Sequence, residues 1–138
     1  MDVKTSGEVI LMSYFVLDQF TKKEVRSLPL DAFTKRRIEK IMEAYTESKV
    51  PENIRNQIRL NYKIRGNNVT LIEERPAFRS DHWVQHDIAQ FRLEDTMWKV
   101  YWRDSKDKWH FVDDIIPSDD FEKQLEIVDN DNRGLFWG

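Results

Sequence analysis

The chain contains no cysteine. Disulfide staples and thiol nucleophiles are therefore excluded, and the absence fits a reducing, cytoplasmic setting. Glycine and proline are also scarce, at four residues each, and no low-complexity tract, flexible linker or internal repeat interrupts the chain. No apolar run approaches the ~20 residues that span a bilayer. The most apolar, Val9 to Leu17, contains Ser13, and the residues before it include Asp2, Lys4 and Glu8. No small-residue cleavage site follows, so neither a membrane partner nor a secretory signal is expected. G-x-S-x-G, phosphate-loop and dinucleotide-binding patterns are missing, and no cofactor is expected.

What the chain does have is charge (34%) and aromatic side chains (12%) over 138 residues, one domain's worth. High charge alone would suit a disordered chain, but the aromatics supply a core. They are densest in TMWKVYWRDSKDKWHF, Thr96 to Phe111, which has the pattern of two antiparallel strands around the polar turn Asp104-Ser105-Lys106-Asp107. Alternation puts Trp98, Val100 and Trp102 on one face and Lys99, Tyr101 and Arg103 on the other. Trp109 and Phe111 are expected to resume the apolar face.

The remaining elements follow in chain order. Residues 1–30 form an N-terminal extension expected to hold a short helix ending before Pro29. The domain proper runs over 31–138. Asp31 can cap a long helix whose apolar stripe is Ile38, Ile41, Met42 and Tyr45. Val50-Pro51 ends it, with one short turn through Asn56. Ile58, Leu60, Tyr62 and Ile64 then alternate with Arg59, Asn61, Lys63 and Arg65, and Gly66-Asn67-Asn68 turns the chain into a second strand from Val69 to Glu74. A third strand covers Val84 to Leu93, with Ala89 and Phe91 inward and His86, Gln90 and Arg92 outward. Ser118 is the expected N-cap of a closing helix with the stripe Phe121, Leu125 and Val128, and Leu135-Phe136-Trp137 is expected to dock on the sheet or on a second subunit. The fold class is α+β: a five-stranded antiparallel meander flanked by an N-terminal long helix and a C-terminal helix.

The segments Val50-Pro51, IRLNYKIRGNNVTLIEERP, AQFR, VYWRDSKDKWHF and GLFWG resemble a small bacterial family described as a domain of unknown function. The resemblance covers Asp31 to Gly138. It implies these domain boundaries and a bacterial origin, and it brings no activity, cofactor or catalytic residue.

The feature with most chemical content is the outward face. Arg59, Lys63, Arg65, Arg92, Lys99, Arg103 and Lys108 collect there with His86, His110, Gln90 and Tyr101, against Glu74 as its one clear carboxylate, while much of the acid lies in Asp113 to Asp131. Despite a net charge of −3 the molecule is expected to be electrically lopsided. Cations interleaved with an aromatic suit an anionic partner such as single-stranded nucleic acid, and the candidate ligand-binding residues are Arg59, Lys63, Arg92, Lys99, Tyr101, Arg103 and His110. The plainer interpretation is the solvated side of an antiparallel sheet, where Lys and Arg discourage aggregation. A third is that the acidic closing helix covers and neutralises this face.

The glycines are too few for a KH loop and the RRM signature is missing, so no established nucleic-acid motif supports the first interpretation. A homo-oligomer or partner-docking protein using an edge strand or the Leu135-Phe136-Trp137 tail is a second hypothesis. A third is a metal-independent or metal-assisted phosphodiester hydrolase assembled from Glu73, Glu74, His86, Arg92, Arg103 and His110. His82-x-x-x-His86 is set aside as a metal site because the spacing straddles a loop and a strand, and Asp129-x-Asp131-x-Arg133 lacks the ligands of a calcium loop.

Overall fold

The computed structural model describes residues 29–138. The helix expected before Pro29 lies outside the described residues.

Helix α1 spans Ala32–Lys49. Asp31 caps it: one carboxylate oxygen accepts the Thr34 amide at 2.8 Å and the other accepts the Thr34 hydroxyl at 2.8 Å. These bonds hold the Asp31 carboxyl below its ordinary pKa. Ile38 and Met42 are buried, and Ile41 and Tyr45 pack half-buried beside them, which is the expected stripe. Proline disfavours a helical residue before it, and Val50 is extended, at φ −108° and ψ 116°. A single 3-10 turn at Glu52–Ile54 leads to the sheet.

Strands β1 (Arg59–Arg65), β2 (Asn68–Pro76), β3 (Trp83–Glu94), β4 (Met97–Arg103) and β5 (Trp109–Phe111) lie in that spatial order, each antiparallel to the next. Short turns set the registers. Gly66, at φ 59°, takes the first central position of the β1–β2 turn, where a positive φ is needed. Asp95 and Thr96 both have positive φ between β3 and β4, the backbone of a type I′ turn.

Both helices cover one face of this meander. Val69, Leu71, Ala89, Phe91, Trp98 and Val100 of the sheet share a core with Ile38 and Met42 of α1 and with Phe121, Leu125 and Val128 of helix α2 (Phe121–Asn130). The Phe121 ring stands nearly edge-on to Trp98 at 4.9 Å and tilted to Phe91 at 5.0 Å. Fully buried Gln124 fastens α2 to β4 by donating to the carbonyls of Trp98 and Ile116.

The cap of α2 is Asp120, not Ser118 as expected. Ser118 forms an isolated bridge with Trp98, so its backbone extends the sheet, and its hydroxyl accepts the Asp120 amide. Past the helix Asp131 adopts the left-handed conformation, and its carboxylate accepts the amides of Leu135, Phe136 and Trp137. The Trp137 indole donates to the Val128 carbonyl at 3.1 Å. The tail is thereby half-buried against its own domain.

Strand alternation predicts the face of most residues and fails at two places. In the β4–β5 turn, Asp107 has φ 64° and the Asp104 amide donates to the Lys108 carbonyl, so the turn is one residue longer than expected. Arg103 consequently pairs with Trp109 and Trp102 with His110. A one-residue offset exchanges the faces of every side chain beyond it. Trp109 and Phe111 therefore leave the core face, while His110, and Lys108 with it, leave the basic face. The second failure is a bulge in β3: Leu71 pairs with Ala89 but Ile72 with Asp87, leaving Ile88 as an extra residue in the core cluster. Asp87 consequently faces outward, and His86 lies on the helix side with Leu60 and Glu73.

Candidate functional site

The sheet face opposite the helices collects side chains from all five strands, and among the described residues no helix lies over it. Its cations are Arg59, Lys63 and Arg65 of β1, Arg92 of β3, and Lys99 and Arg103 of β4. Its aromatics are Trp83, Tyr101, Trp109 and Phe111. The two sets alternate in space. The Arg59 guanidinium lies 3.7 Å from the Trp83 ring centre and that of Arg92 lies 3.9 Å from Tyr101. Arg103 sits 5.7 Å from Trp109 and Lys99 5.9 Å from Phe111, and the Tyr101 and Phe111 rings are 5.6 Å apart. Cation–aromatic contacts of this kind hold long side chains in place at the surface.

Glu74 is not the only carboxylate here. The β3 bulge adds Asp87, and Glu94 stands at the strand's end. Asp87 accepts from Arg103, whose Nε is buried with no acceptor among the described residues. Glu94 pairs with Lys99 at 3.3 Å and accepts from the Tyr101 hydroxyl at 3.4 Å. Burial first, and then the charge of Glu94, raises the Tyr101 pKa. Glu74 is bonded to Gln85. Lys63, Arg65, Arg59 and Arg92 make no ion pair with a described carboxylate, so the positive character of the face rests on them. Arg92 is oriented from below: its Nε donates to Gln90 Oε1 at 2.7 Å, and Gln90 Nε2 donates to the Thr70 hydroxyl at 2.9 Å.

Of the seven residues expected at this site, Arg59, Lys63, Arg92, Lys99, Tyr101 and Arg103 share the face. His110 does not. It stacks on Trp102 at 5.0 Å and meets Asp104 at 2.6 Å, and that bond, with the amides of Lys108 and Lys106, lowers the Asp104 pKa to about 2. The acidic helix α2 does not neutralise the face either, because Phe121, Leu125 and Val128 hold it on the opposite side of the sheet. The residues missed by sequence reasoning are Trp83, Asp87, Trp109 and Phe111. A bulge and a lengthened turn place the last three, and neither carries a glycine to signal it.

The hydrolase constellation does not assemble. Glu74, Arg92 and Arg103 lie on the outer face, whereas Glu73, His86 and His110 lie on the helix side. A cleft of about 560 Å³ does open on that side, bounded by Ile58, Leu60, Glu73, Arg75, Asp129 and Trp137. Its charges are paired with one another: Arg75 with Glu73 at 2.7 Å, and Lys49 with Asp129 at 2.7 Å. Asp129 also accepts from the Tyr45 hydroxyl at 2.7 Å, and burial together with this bond raises the Tyr45 pKa strongly.

No helix among the described residues is long and apolar enough to cross a membrane. No curated protein and no solved structure matches this chain. Residues 30–138 match the family model described as Domain of unknown function (DUF3024), and with most of its length inside that match the chain belongs to this family.

Proposed function

We propose that the protein is a binding module whose outer sheet face takes single-stranded nucleic acid. One observation carries this reading: cations and aromatic rings alternate across a single face, and Arg59, Lys63, Arg65 and Arg92 make no ion pair with a described carboxylate, with Glu74 opposite Arg59 as the one described acid of the face outside an ion pair. Phosphates would pair with those cations. Bases would stack on exposed Phe111, on the half-buried rings of Trp83 and Trp109, and on the guanidinium planes, each stack being worth about 1–3 kcal/mol. A face serving only to keep the sheet soluble would need charge of either sign and no indoles. The concentration of acid around α2 adds to the reading, since it repels a polyanion from the helix side and leaves the basic side as the approach.

The test is a salt titration of binding to an oligothymidylate of about ten nucleotides. With roughly four phosphate contacts, log K should fall against log salt with a slope of about −3. Exchanging Arg92 and Arg103 for Glu should abolish binding. Absence of binding at low salt, or unchanged affinity in that variant, would overturn the proposal.

A further inference from the structure

Within this reading, and resting on it, we infer that Arg92 is the two-pronged phosphate grip of the face and that Gln90 and Thr70 are the positioning residues that aim it. Thr70 is 2% and Gln90 9% exposed, although both belong to the side of the sheet that carries no described helix. A buried amide needs both of its ends paired. Gln90 satisfies this by donating from Nε2 to the Thr70 hydroxyl, which leaves Oε1 facing Arg92. Arg92 Nε donates to that oxygen at 2.7 Å, and Tyr101 lies beneath the guanidinium carbon at 3.9 Å.

A guanidinium held at Nε and supported on one flat side has its orientation set before any ligand arrives. Its two Nη groups have no described acceptor, and they form the edge that meets two phosphate oxygens at once. Arg103 provides the contrast, because one of its Nη groups is already committed to Asp87 and the other pairs with Asp107 at 3.5 Å. Arg59, also stacked on a ring, donates from Nε to the Arg55 carbonyl at 3.3 Å and lies on the exposed edge strand. Arg92 alone among the four arginines of the face combines a central strand, a buried side-chain acceptor and an uncommitted outer edge, since Arg65 like Arg59 lies on the edge strand. The ligand class this selects is a phosphodiester backbone, gripped without regard to base sequence.

The experiment measures oligothymidylate affinity at low salt by fluorescence anisotropy, with melting temperature as the check on folding. Gln90→Met keeps the side-chain volume but removes the acceptor, and should weaken binding about tenfold. Arg92→Lys keeps the charge without the fork and should weaken binding by a similar factor. In the Arg92→Lys background, Gln90→Met should cause no further loss, an outcome that a merely structural glutamine would not produce. If Gln90→Met binds like the native protein, or weakens the Arg92→Lys background as much as the native one, the positioning claim is overturned while the binding face stands. Should Gln90→Met fail to fold, Arg92→Lys binding as tightly as the native protein overturns the grip. Native protein that does not bind at low salt overturns both.

Discussion

The two faces of the sheet are built from the same strands and differ in what holds them. On the helix side, Phe91, Leu71, Val69 and Val100 are fully buried against two helices, so that face is held by removal of apolar area from water. On the outer side, side chains of similar size are held by pairs: guanidinium on ring, carboxylate on guanidinium, amide on hydroxyl. Contacts of the first kind dominate folding. Those of the second kind are weak individually and leave their polar edges available, which is what a recognition surface needs. The difference teaches that stability and the proposed ligand contact can be separated in this molecule by strand parity.

The largest expected effect sharpens that separation. Phe91→Ala should cost about 3–5 kcal/mol in urea unfolding, because it opens a cavity between the sheet and Phe121. Tyr101→Ala, across the same sheet, should cost about 1 kcal/mol and instead reduce oligonucleotide affinity. Equal destabilisation by the two would break the comparison.

A second effect belongs to the helix side. Tyr45 must stay protonated to donate to Asp129, and its pKa is raised above the ordinary 10.0 by burial and by that carboxylate. Below pH 10 the tyrosine is neutral both folded and unfolded, so it adds no slope there. As pH rises above 10 the unfolded chain releases the proton first, and stability falls. Tyr45→Phe should cost about 1–2 kcal/mol at neutral pH and remove that alkaline loss. Parallel stability curves for the two proteins above pH 10 would contradict the assignment. Burial alone would raise the Asp129 pKa, but the bonds from Lys49 and Tyr45 outweigh it and the carboxyl lies below its ordinary value. Asp129 therefore remains an acceptor throughout this range.

The smallest effect concerns the turn that places Trp109 and Phe111 on the outer face. Asp107 is left-handed at φ 64°, a conformation that glycine adopts with less strain. Asp107→Gly gives up only the long, exposed pairing of Asp107 with Arg103 at 3.5 Å, and should stabilise the protein by roughly 0.5 kcal/mol and leave the β4–β5 register intact. Destabilisation, or loss of the nuclear Overhauser contacts between Tyr101 and Phe111, would mean that the register is set elsewhere.

These placements show how far sequence reasoning reaches. The α1 stripe, the Asp31 cap and the five-strand order follow from periodicity and turn residues, because each is repeated over several positions. Membership of the outer face was legible for Arg59, Lys63, Arg92, Lys99, Tyr101 and Arg103, which lie on uninterrupted stretches of strand. His110 and His86 were misplaced for a common reason: a single extra residue, Asp107 in one case and Ile88 in the other, reverses parity from that point on. The partnership of Asp87 with Arg103 was hidden by the same bulge. The α2 cap was missed because Ser118 joins the sheet edge, a tertiary role that capping preference cannot anticipate.

The five tryptophans allow the two faces to be compared in one sample. Trp83 and Trp109 belong to the outer face, Trp98 to the core, Trp102 to the helix side beside His110, and Trp137 to the docked tail. In a nitrogen–proton correlation spectrum with assigned indole peaks, adding an oligothymidylate at low salt should shift the Trp83 and Trp109 signals and leave Trp98, Trp102 and Trp137 in place. Shifts confined to the helix-side indoles, or none at all, would contradict the account.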